Sequence, residues 1–263
     1  MTGFSADWLT LREPFDVRAR NPNVLKAVIA AFADDRAINI VDLACGTGST
    51  MRAVAPHLLA TQRWRLFDND LSLLARIEAA PGVTTSPLDL AHDLEGALDG
   101  AVDLVTTSAL LDLVSDEWLE RLTVEAAARH LPVYAALSYD GRISFRPSHP
   151  FDATVVSAVN AHQKRDKGFG PALGPGAGRA AIRRFERVGY HVTHGASDWV
   201  FEPQHREIQT EILSGWAAAA RENNLPLADV VNWLTRRRDL VAAGHSAIRV
   251  GHIDIFARPT GKR

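Results

Sequence analysis

A short run of small residues near the start of the chain has the composition of a ligand-binding turn. Residues 38–50 read Ile-Asn-Ile-Val-Asp-Leu-Ala-Cys-Gly-Thr-Gly-Ser-Thr, so a buried-strand pattern that contains Asp42 passes directly into a turn with Gly46 and Gly48. Glycine lets the backbone approach a ligand where a Cβ would collide, and the helix that follows offers unpaired N–H groups. The pattern predicts a ligand site at this turn.

The spacing of the small residues argues against a nicotinamide dinucleotide. That fingerprint, G-x-G-x-x-G, needs a third glycine where this chain has Met51. The stretch resembles instead motif I of the class I methyltransferases, a strand that ends D-x-G-x-G-x-G, with Ala44 in place of the first glycine. The resemblance implies S-adenosyl-L-methionine as the cofactor and S-adenosyl-L-homocysteine as its product.

The ribose of this cofactor presents two adjacent hydroxyls, and one carboxylate can accept a hydrogen bond from each. By resemblance this carboxylate is Asp70, because Asp70-Leu71-Ser72 matches the family's D-x-S after the second strand. Aspartate is also a favoured N-cap, so Asp70 could instead cap a helix that begins at Leu71. Asp68 alternates to the same face and is the weaker candidate.

The resemblance places the adenine after the third strand. Asp89 would accept from the adenine amino group, and the backbone at Leu90 would meet a ring nitrogen. Asp89 is preferred to Asp93 on position alone. Either aspartate could instead cap a weak helix around 94–98.

The methionine end of the cofactor would lie against the first and fourth strands. By resemblance, Asp42 reaches the ammonium through water or orients the turn, the Ala44 carbonyl accepts from that ammonium, and Ser108 lies beneath the methionine. The resemblance implies all three of these assignments together, and none of them rests on separate evidence.

The methionine carboxylate needs a cation, which the glycine turn does not supply. Residues 8–20 contain Arg12, Arg18 and Arg20, and members of the family often fold such an arm over the cofactor. Arg18 is our candidate in the predicted site, with Arg12 and Arg20 as its rivals. The competing interpretation is a solvated charged face.

The implied reaction transfers an activated sulfonium methyl, so the protein mainly has to align the acceptor and exclude water. A general base is needed only where the acceptor holds a proton. The first candidates are His149 and Tyr139, because both flank a ribbon that is expected to overhang the methyl group. The others are Asp112, Asp152 and His162.

Strand and helix patterns alternate through the first 140 residues. Strands that alternate with helices of about 10–15 residues predict parallel βαβ units and a doubly wound sheet. With the resemblance, which covers nearly the whole chain, we expect an α/β fold: a seven-stranded, mostly parallel, Rossmann-like sheet whose sixth strand covers 191–201. The chain is predicted to be one domain, 1–263, with an N-terminal arm at 1–22.

The segment 140–178 is the first candidate cap element over the substrate side. Its Asp140-Gly141 pair lies between alternating apolar runs and predicts a hairpin, so that a β-ribbon would end near Arg146. The Gly-rich run 168–178 is either a lid or a spacer.

The segment 204–243 is the second candidate cap element. Two helical patterns separate the last two strands, which usually form a hairpin in the family. These helices could instead extend the core or form a dimer contact. The run Arg236-Arg237-Arg238 within them is typical of a solvated helix face.

Composition argues against a nucleic-acid partner. The chain has 263 residues, 46% hydrophobic and 23% charged, and its formal net charge of −2 gives no field that attracts a polyanion. The end of strand four, residues 106–109, lacks the N/D-P-P-Y/F element with which some methyltransferases hold a flipped base. A small-molecule substrate fits better.

Metal binding and export are not expected either. His191 and His194 would face opposite sides of a strand, which disfavours a shared metal ion. Cys45 has no partner for an internal disulfide, and neither a signal segment nor a run of about 18 apolar residues is present. We therefore expect a cytoplasmic protein, a monomer or homodimer, with no membrane contact.

Together these patterns predict an enzyme that transfers a methyl group from S-adenosylmethionine to oxygen, nitrogen or carbon of a small molecule. The first alternative is a non-catalytic methyltransferase-like protein that binds the cofactor or a partner. A NAD-dependent oxidoreductase is the less favoured alternative, because the third glycine is absent.

Overall fold

A mixed β-sheet of eight strands runs through the centre of the computed structural model, which describes residues 4–261 of the chain. Residues 1–3 of the predicted arm and residues 262–263 of the predicted domain lie outside this description. The strands are β1 (Ala37–Leu43), β2 (Thr61–Asp68), β3 (Val83–Pro87), β4 (Leu104–Ser108), β5 (Val133–Arg146), β6 (Tyr190–Ala196), β7 (Trp199–Phe201) and β8 (Ala247–Pro259). The helices are α1 (Ala6–Ala19), α2 (Pro22–Ala31), α3 (Ser49–Val54), α4 (Leu71–Leu74), α5 (Leu94–Ala97), α6 (Asp116–Arg129), α7 (Asp152–His162), α8 (Ala177–Arg187), α9 (Arg206–Glu222) and α10 (Leu227–Ala242).

The strand order confirms the predicted doubly wound sheet. It reads β3-β2-β1-β4-β5-β8-β6, with β7 beside β8. The strands β1 to β5 are parallel, whereas β8 is antiparallel to β5, β6 and β7. The carboxyl ends of the parallel strands therefore meet at one edge, where α/β sheets of this kind bind ligands.

The predicted sixth strand is present in two pieces, β6 and β7. Between them Ser197 and Asp198 leave the regular ladder. The Ser197 N–H donates to the His252 carbonyl (2.9 Å), and the Asp198 carboxylate accepts the His252 N–H (3.3 Å). These two hydrogen bonds keep β8 paired across the interruption.

The hairpin predicted at Asp140-Gly141 is wrong, although the extension of strand five to Arg146 is correct. β5 pairs with β8 along its whole length, with register shifts on both sides of residues 138–139. Gly141 has φ +90°, and the Asp140 carboxylate accepts the N–H of Arg142 (3.0 Å). The pair therefore forms a bulge, because β8 supplies the partner strand that a hairpin would have supplied.

Two apolar clusters sandwich the sheet and fix its edge. One face is covered by α5, α6 and α8, and the other by α2, α3 and α4. The Gly-rich run ends inside α8, and it is pinned to the loop after β4 by hydrogen bonds from Leu173 N–H to Val114 O (2.8 Å) and from Gly174 N–H to Asp112 O (3.0 Å).

A third apolar cluster lies around the extension of β5 and β8. It is built from α7, α9, α10, β7 and Phe15 of α1. α9 buries one face, as its spacing predicts, through Ile208, Ile212, Leu213 and Trp216. Each large side chain buried in this way stabilises the fold by about 1.5–3 kcal/mol. None of the helices between residues 4 and 261 has the length and apolar character that a membrane span needs.

Candidate functional site

The glycine turn lies at the carboxyl end of β1 and is built from left-handed backbone. Ala44, Gly46 and Gly48 have φ of 53°, 55° and 81°. Glycine adopts this conformation freely, whereas Ala44 bears a strain of roughly 1–2 kcal/mol. The strained residue is the one at which the family motif has its first glycine.

Asp68, the last residue of β2, ties the turn to the second strand. Its carboxylate accepts N–H groups from Gly46 (2.8 Å) and Asp70 (3.0 Å). Both of its oxygens are thus used by backbone. The sequence identified Asp68 only as a weak ribose candidate and did not indicate this positioning role.

Asp70 caps α4, as the competing interpretation of the sequence expected. One oxygen, Oδ1, accepts the N–H (2.8 Å) and the hydroxyl (2.6 Å) of Ser72, and these bonds lower the pKa of Asp70. Its neighbour Leu71 is 67% exposed. The cap therefore holds the carboxylate of Asp70 just beyond the carboxyl end of β2.

Asp89 and Asp93 each cap a different turn. Asp89 accepts the N–H of Ala91 (3.0 Å) and contacts the His92 ring (2.8 Å), and the His92 bond lowers the pKa of Asp89. Asp93 is the N-cap of α5. Leu90 is buried, and its carbonyl accepts the indole N–H of Trp118 (2.6 Å).

Asp42 is fully buried beneath the turn. Its Oδ1 accepts the Thr106 hydroxyl (2.7 Å), while its Oδ2 has no hydrogen-bond partner among residues 4–261. Burial raises the pKa of Asp42 to about 7. A cation placed beside Oδ2 would restore the charged form.

Arg20, rather than Arg18, is brought to the turn. The guanidinium of Arg20 is buried and donates to the hydroxyls of Ser108 (3.0 Å) and Tyr134 (3.2 Å). Its Nε has no partner within the described residues. Arg18 lies on the exposed side of α1, over the Phe15 ring. Arg20 is the C-cap of α1, one residue beyond the helix, and its side chain reaches Ser108 at the end of β4.

The Ser108 hydroxyl links Arg20, at the end of α1, to α3. It accepts from Arg20 and is also hydrogen-bonded to the Thr50 hydroxyl of α3 (3.0 Å). Sequence reasoning predicted Ser108 but missed Thr50 and Tyr134, because no motif marks either of them.

α1 lies directly over the turn. Leu9 is so close that a Cβ on Gly46 would stand 3.2 Å from its Cδ1. Glu13 forms a bidentate ion pair with Arg52 of α3 (2.7 Å for each contact). α1 therefore covers the turn, and glycine at position 46 avoids both the left-handed strain of a larger residue and a tight contact with Leu9.

The structure does not bring His149 to the turn. Its Nδ1 accepts the N–H of Phe151 (3.1 Å), and its own N–H donates to Asp152 (2.7 Å), so it forms the turn that begins α7. This turn follows the far end of β5, whereas Ser108 pairs with Ala136 near the start of that strand. His149 was predicted from a hairpin that does not form.

Tyr139 lies near the end of β4, but its hydroxyl is already engaged. It donates to the side-chain oxygen of Asn160 (2.7 Å), and burial raises its pKa well above the usual value. Of the other base candidates, Asp152 pairs with Arg237 and His162 with Glu222, both away from the turn. Asp112 is buried in the loop that follows β4.

A concave surface lies away from the glycine turn. A cleft of about 370 Å³ is lined by Asn39, Gly82 and Ala101 among others, at the amino ends of the strands. It is on the opposite edge of the sheet from the glycine turn. In the described part of the chain, no group of three or more His, Cys, Asp or Glu is placed to hold a metal ion.

Comparisons with known proteins support the fold. No protein-family model and no curated protein matches the sequence. Among solved structures, the cyclopropane synthase MmaA2 from Mycobacterium tuberculosis is 11% identical, with coverage of 97% of this chain and 95% of that chain and a TM-score of 0.51. A cyclopropane-fatty-acyl-phospholipid synthase-like protein from Lactobacillus casei is 16% identical, with coverage of 95% and 94% and a TM-score of 0.54. These similarities, with the strand order, show that the chain has the class I methyltransferase fold.

Proposed function

We propose that this protein binds S-adenosylmethionine at the glycine turn and transfers its methyl group to a small molecule. The observation that carries the proposal is a pair of buried, opposite groups beside the turn. Asp42 offers a free carboxylate oxygen, and Arg20 offers a free guanidinium N–H. Eight buried side-chain atoms lack a partner in the described residues, but these two carry opposite charges close enough for Arg20 to lower the pKa of Asp42, and such a pair supports a ligand of matching polarity.

The polarity of the pair matches the amino-acid end of the cofactor. A methionine moiety carries an ammonium and a carboxylate, which Asp42 and Arg20 would hold. A dinucleotide would instead bring a pyrophosphate to this turn, where Asp42 and Asp68 would repel it. The same two aspartates therefore disfavour the oxidoreductase alternative.

The remaining cofactor positions follow the sequence prediction, with one change. Asp70 would accept from the ribose through Oδ2, because Oδ1 serves the cap of α4. Asp89 and the backbone at Leu90 would meet the adenine. Arg20 replaces Arg18 at the methionine carboxylate, since Arg18 is exposed.

When bound, the cofactor supplies a methyl group already activated on a sulfonium. The protein then aligns the acceptor with that methyl and excludes water. α1 would exclude water through Leu9, which already covers the turn. We propose that the segments 140–178 and 204–243 enclose a small acceptor on this side, in a cytoplasmic protein.

Calorimetric titration with S-adenosylmethionine, S-adenosylhomocysteine and NADH tests this proposal. We expect micromolar affinity for the first two ligands and no heat with NADH. Arg20→Gln should weaken binding of S-adenosylhomocysteine by about 10-fold or more, since a charged hydrogen bond contributes about 1.5–3 kcal/mol. The matched control, Arg18→Gln, should bind like the wild type. Absence of heat with both S-adenosylmethionine and S-adenosylhomocysteine, or equal affinity for NADH, would contradict the proposal.

A further inference from the structure

Asp254 of β8 is a fully buried carboxylate whose hydrogen bonds lead to Arg20. It lies on the face of the sheet that α2 covers, because Phe256, two residues along the same strand, belongs to that apolar cluster. Its Oδ1 accepts the N–H of Leu137 (2.8 Å). Its Oδ2 accepts the N–H of Asn21 (2.9 Å) and the hydroxyl of Tyr134 (3.4 Å). One side chain thus joins β8, β5 and the junction of α1 with α2.

An irregularity of β5 explains one of these hydrogen bonds. The register of β5 with β8 shifts between Ala135 and Ser138, so that two residues of β5 lie opposite Asp254 alone. One of the two, Leu137, has a left-handed φ of 55°, and its N–H donates to the Asp254 side chain. The carboxylate therefore satisfies a backbone donor that the bulge takes out of the ladder.

Two routes connect Arg20 to Asp254. The first is the backbone, because Asn21, which donates its N–H to Asp254, directly follows Arg20. The second is Tyr134, whose hydroxyl accepts from Nη1 of Arg20 (3.2 Å) and donates to Asp254. Gly195 pairs with Asp254 from β6, and a Cβ at this glycine would collide with the Asn21 side chain. The backbone and the side chain of Arg20 are therefore both fixed relative to β8.

The guanidinium of Arg20 nevertheless carries a charge that no residue neutralises by contact. Its hydrogen bonds go to two hydroxyls, those of Ser108 and Tyr134, and it forms no salt bridge with a residue of 4–261. Burial works to lower the pKa of Arg20, but neighbouring groups, Asp254 among them, raise it above its usual value. Asp254 thus supplies negative charge at one remove and leaves the guanidinium without an ion-pair partner of its own.

Building on the proposed function, we infer that Asp254 is a positioning residue for the cofactor: through Tyr134 it holds Arg20 where the guanidinium meets the methionine carboxylate. Asp254 itself does not touch the ligand. A direct ion pair between Asp254 and Arg20 would use the donors that the cofactor carboxylate needs. The hydroxyl between them fixes the guanidinium by a single neutral hydrogen bond and leaves its charge to the ligand.

Two ligands separate the amino-acid end of the cofactor from the remainder. S-Adenosylhomocysteine carries the ammonium and the carboxylate, whereas 5′-methylthioadenosine has the same adenosine and sulfur without them. Calorimetry gives the ratio of the two affinities, which reports on the contacts of the amino-acid end. The wild type should bind S-adenosylhomocysteine at least about 10-fold more tightly, since a hydrogen bond to a charged group contributes about 1.5–3 kcal/mol.

Tyr134→Phe and Asp254→Asn should each lower this ratio by about 5-fold or more, because Arg20 is no longer held toward the carboxylate. The affinity for 5′-methylthioadenosine should stay within about 2-fold of the wild type. The matched control is Tyr190→Phe, which removes another buried hydroxyl, one that donates to the Ala126 carbonyl (2.8 Å). It should leave the ratio unchanged. In an Arg20→Gln background neither test substitution should lower the ratio further, since both act through Arg20.

A merely structural role would weaken both ligands alike, and an unchanged ratio in Tyr134→Phe and Asp254→Asn would overturn the inference. An equal fall in Tyr190→Phe, or a further fall in the Arg20→Gln background, would overturn it too. If Asp254→Asn does not fold, Tyr134→Phe alone and combined with Arg20→Gln decides. Equal affinity of the wild type for the two ligands, or no binding of S-adenosylhomocysteine, would contradict the proposed function. Selective binding by the wild type with an unchanged ratio in the variants would contradict this inference alone.

Discussion

Asp42 shows how a single buried carboxyl can link stability to ligand binding. Its pKa of about 7 in the folded protein exceeds the value of about 3.9 expected in the unfolded chain. Between those two values the folded state therefore binds one proton more than the unfolded state, and stability falls as the pH rises. A site that holds an uncompensated acid is less stable than the same site with a neutral amide.

We predict that Asp42→Asn removes this pH dependence. From pH 4 to pH 8, the free energy of unfolding of the variant should rise relative to the wild type by on the order of 3 kcal/mol. Urea denaturation across that pH range measures the difference, in which any constant cost of the asparagine cancels. A difference that does not change with pH would mean that Asp42 is ionised throughout.

A substitution at Asp70 can separate its role as the N-cap of α4 from its proposed role as the ribose ligand. Asp70→Ala should lower stability through loss of the α4 cap, and should weaken binding of S-adenosylhomocysteine by about 10-fold or more. Asp93→Ala removes the equivalent cap of α5 and serves as the control. It should lose similar stability in thermal unfolding but keep its affinity in calorimetry. Equal affinities in the two variants would leave Asp70 as a cap alone.

The residues differ in how far sequence could predict them. Gly46, Gly48 and Asp42 lie in a contiguous motif, and the structure brings them together as that motif implies. Arg18 and Arg20 could not be told apart, because their difference is the direction in which the chain leaves α1. No motif marks Asp112, which was among the base candidates of the sequence, and its burial became visible only in the structure.

Among the elements, α1 buries few of the side chains of its 14 residues. Within it only Arg12, Phe15 and Asp16 are buried. It is held to its surroundings by Glu13 with Arg52, and by Asp16, which accepts the indole N–H of Trp199 (2.9 Å). An element held in this way opens locally at a lower free energy than the core.

We predict that ligand binding protects α1. If S-adenosylhomocysteine lies beneath the helix, 100 times its Kd should stabilise the closed form by about 2.7 kcal/mol, and amide hydrogen exchange in α1 should slow by about 100-fold. Mass-spectrometric exchange of residues 6–19 measures this, with α10 as the control that should not change. Unaltered exchange in α1 under saturating ligand would place the ligand elsewhere.

The alternation of strands and helices was predictable because each βαβ unit is locally encoded. The bulge at Gly141 was not, because a hairpin and a bulge use the same Asp-Gly pair. What decides between them is whether a distant strand is available. Here that strand is β8, more than 100 residues along the chain.

At the scale of the whole molecule, the third apolar cluster adds a second packed region beyond the core that covers the sheet. Its polar centre is Asp152, which receives the Trp233 indole N–H (2.9 Å) and the guanidinium of Arg237. The sequence predicted a solvated face for the run that contains Arg237, but the structure buries this arginine completely. A run of three arginines on a helix necessarily covers most of its circumference, so one of them can face inward.

We predict that this ion pair stabilises the packing of α7 against α10 without changing the affinity for the cofactor. Arg237→Met should cost about 1.5–3 kcal/mol, because it removes the charged hydrogen-bond partner of the half-buried Asp152, and Asp152→Asn added to it should recover part of that loss. Arg238→Met, on the exposed side of α10, should change stability by less than about 0.5 kcal/mol. Urea denaturation of these three variants and of the wild type measures the differences in stability. Affinity for S-adenosylhomocysteine should stay within about 2-fold wherever the variants fold, because the pair lies beyond the far end of β5. A large loss of affinity would instead show that the third cluster and the glycine turn act as one unit.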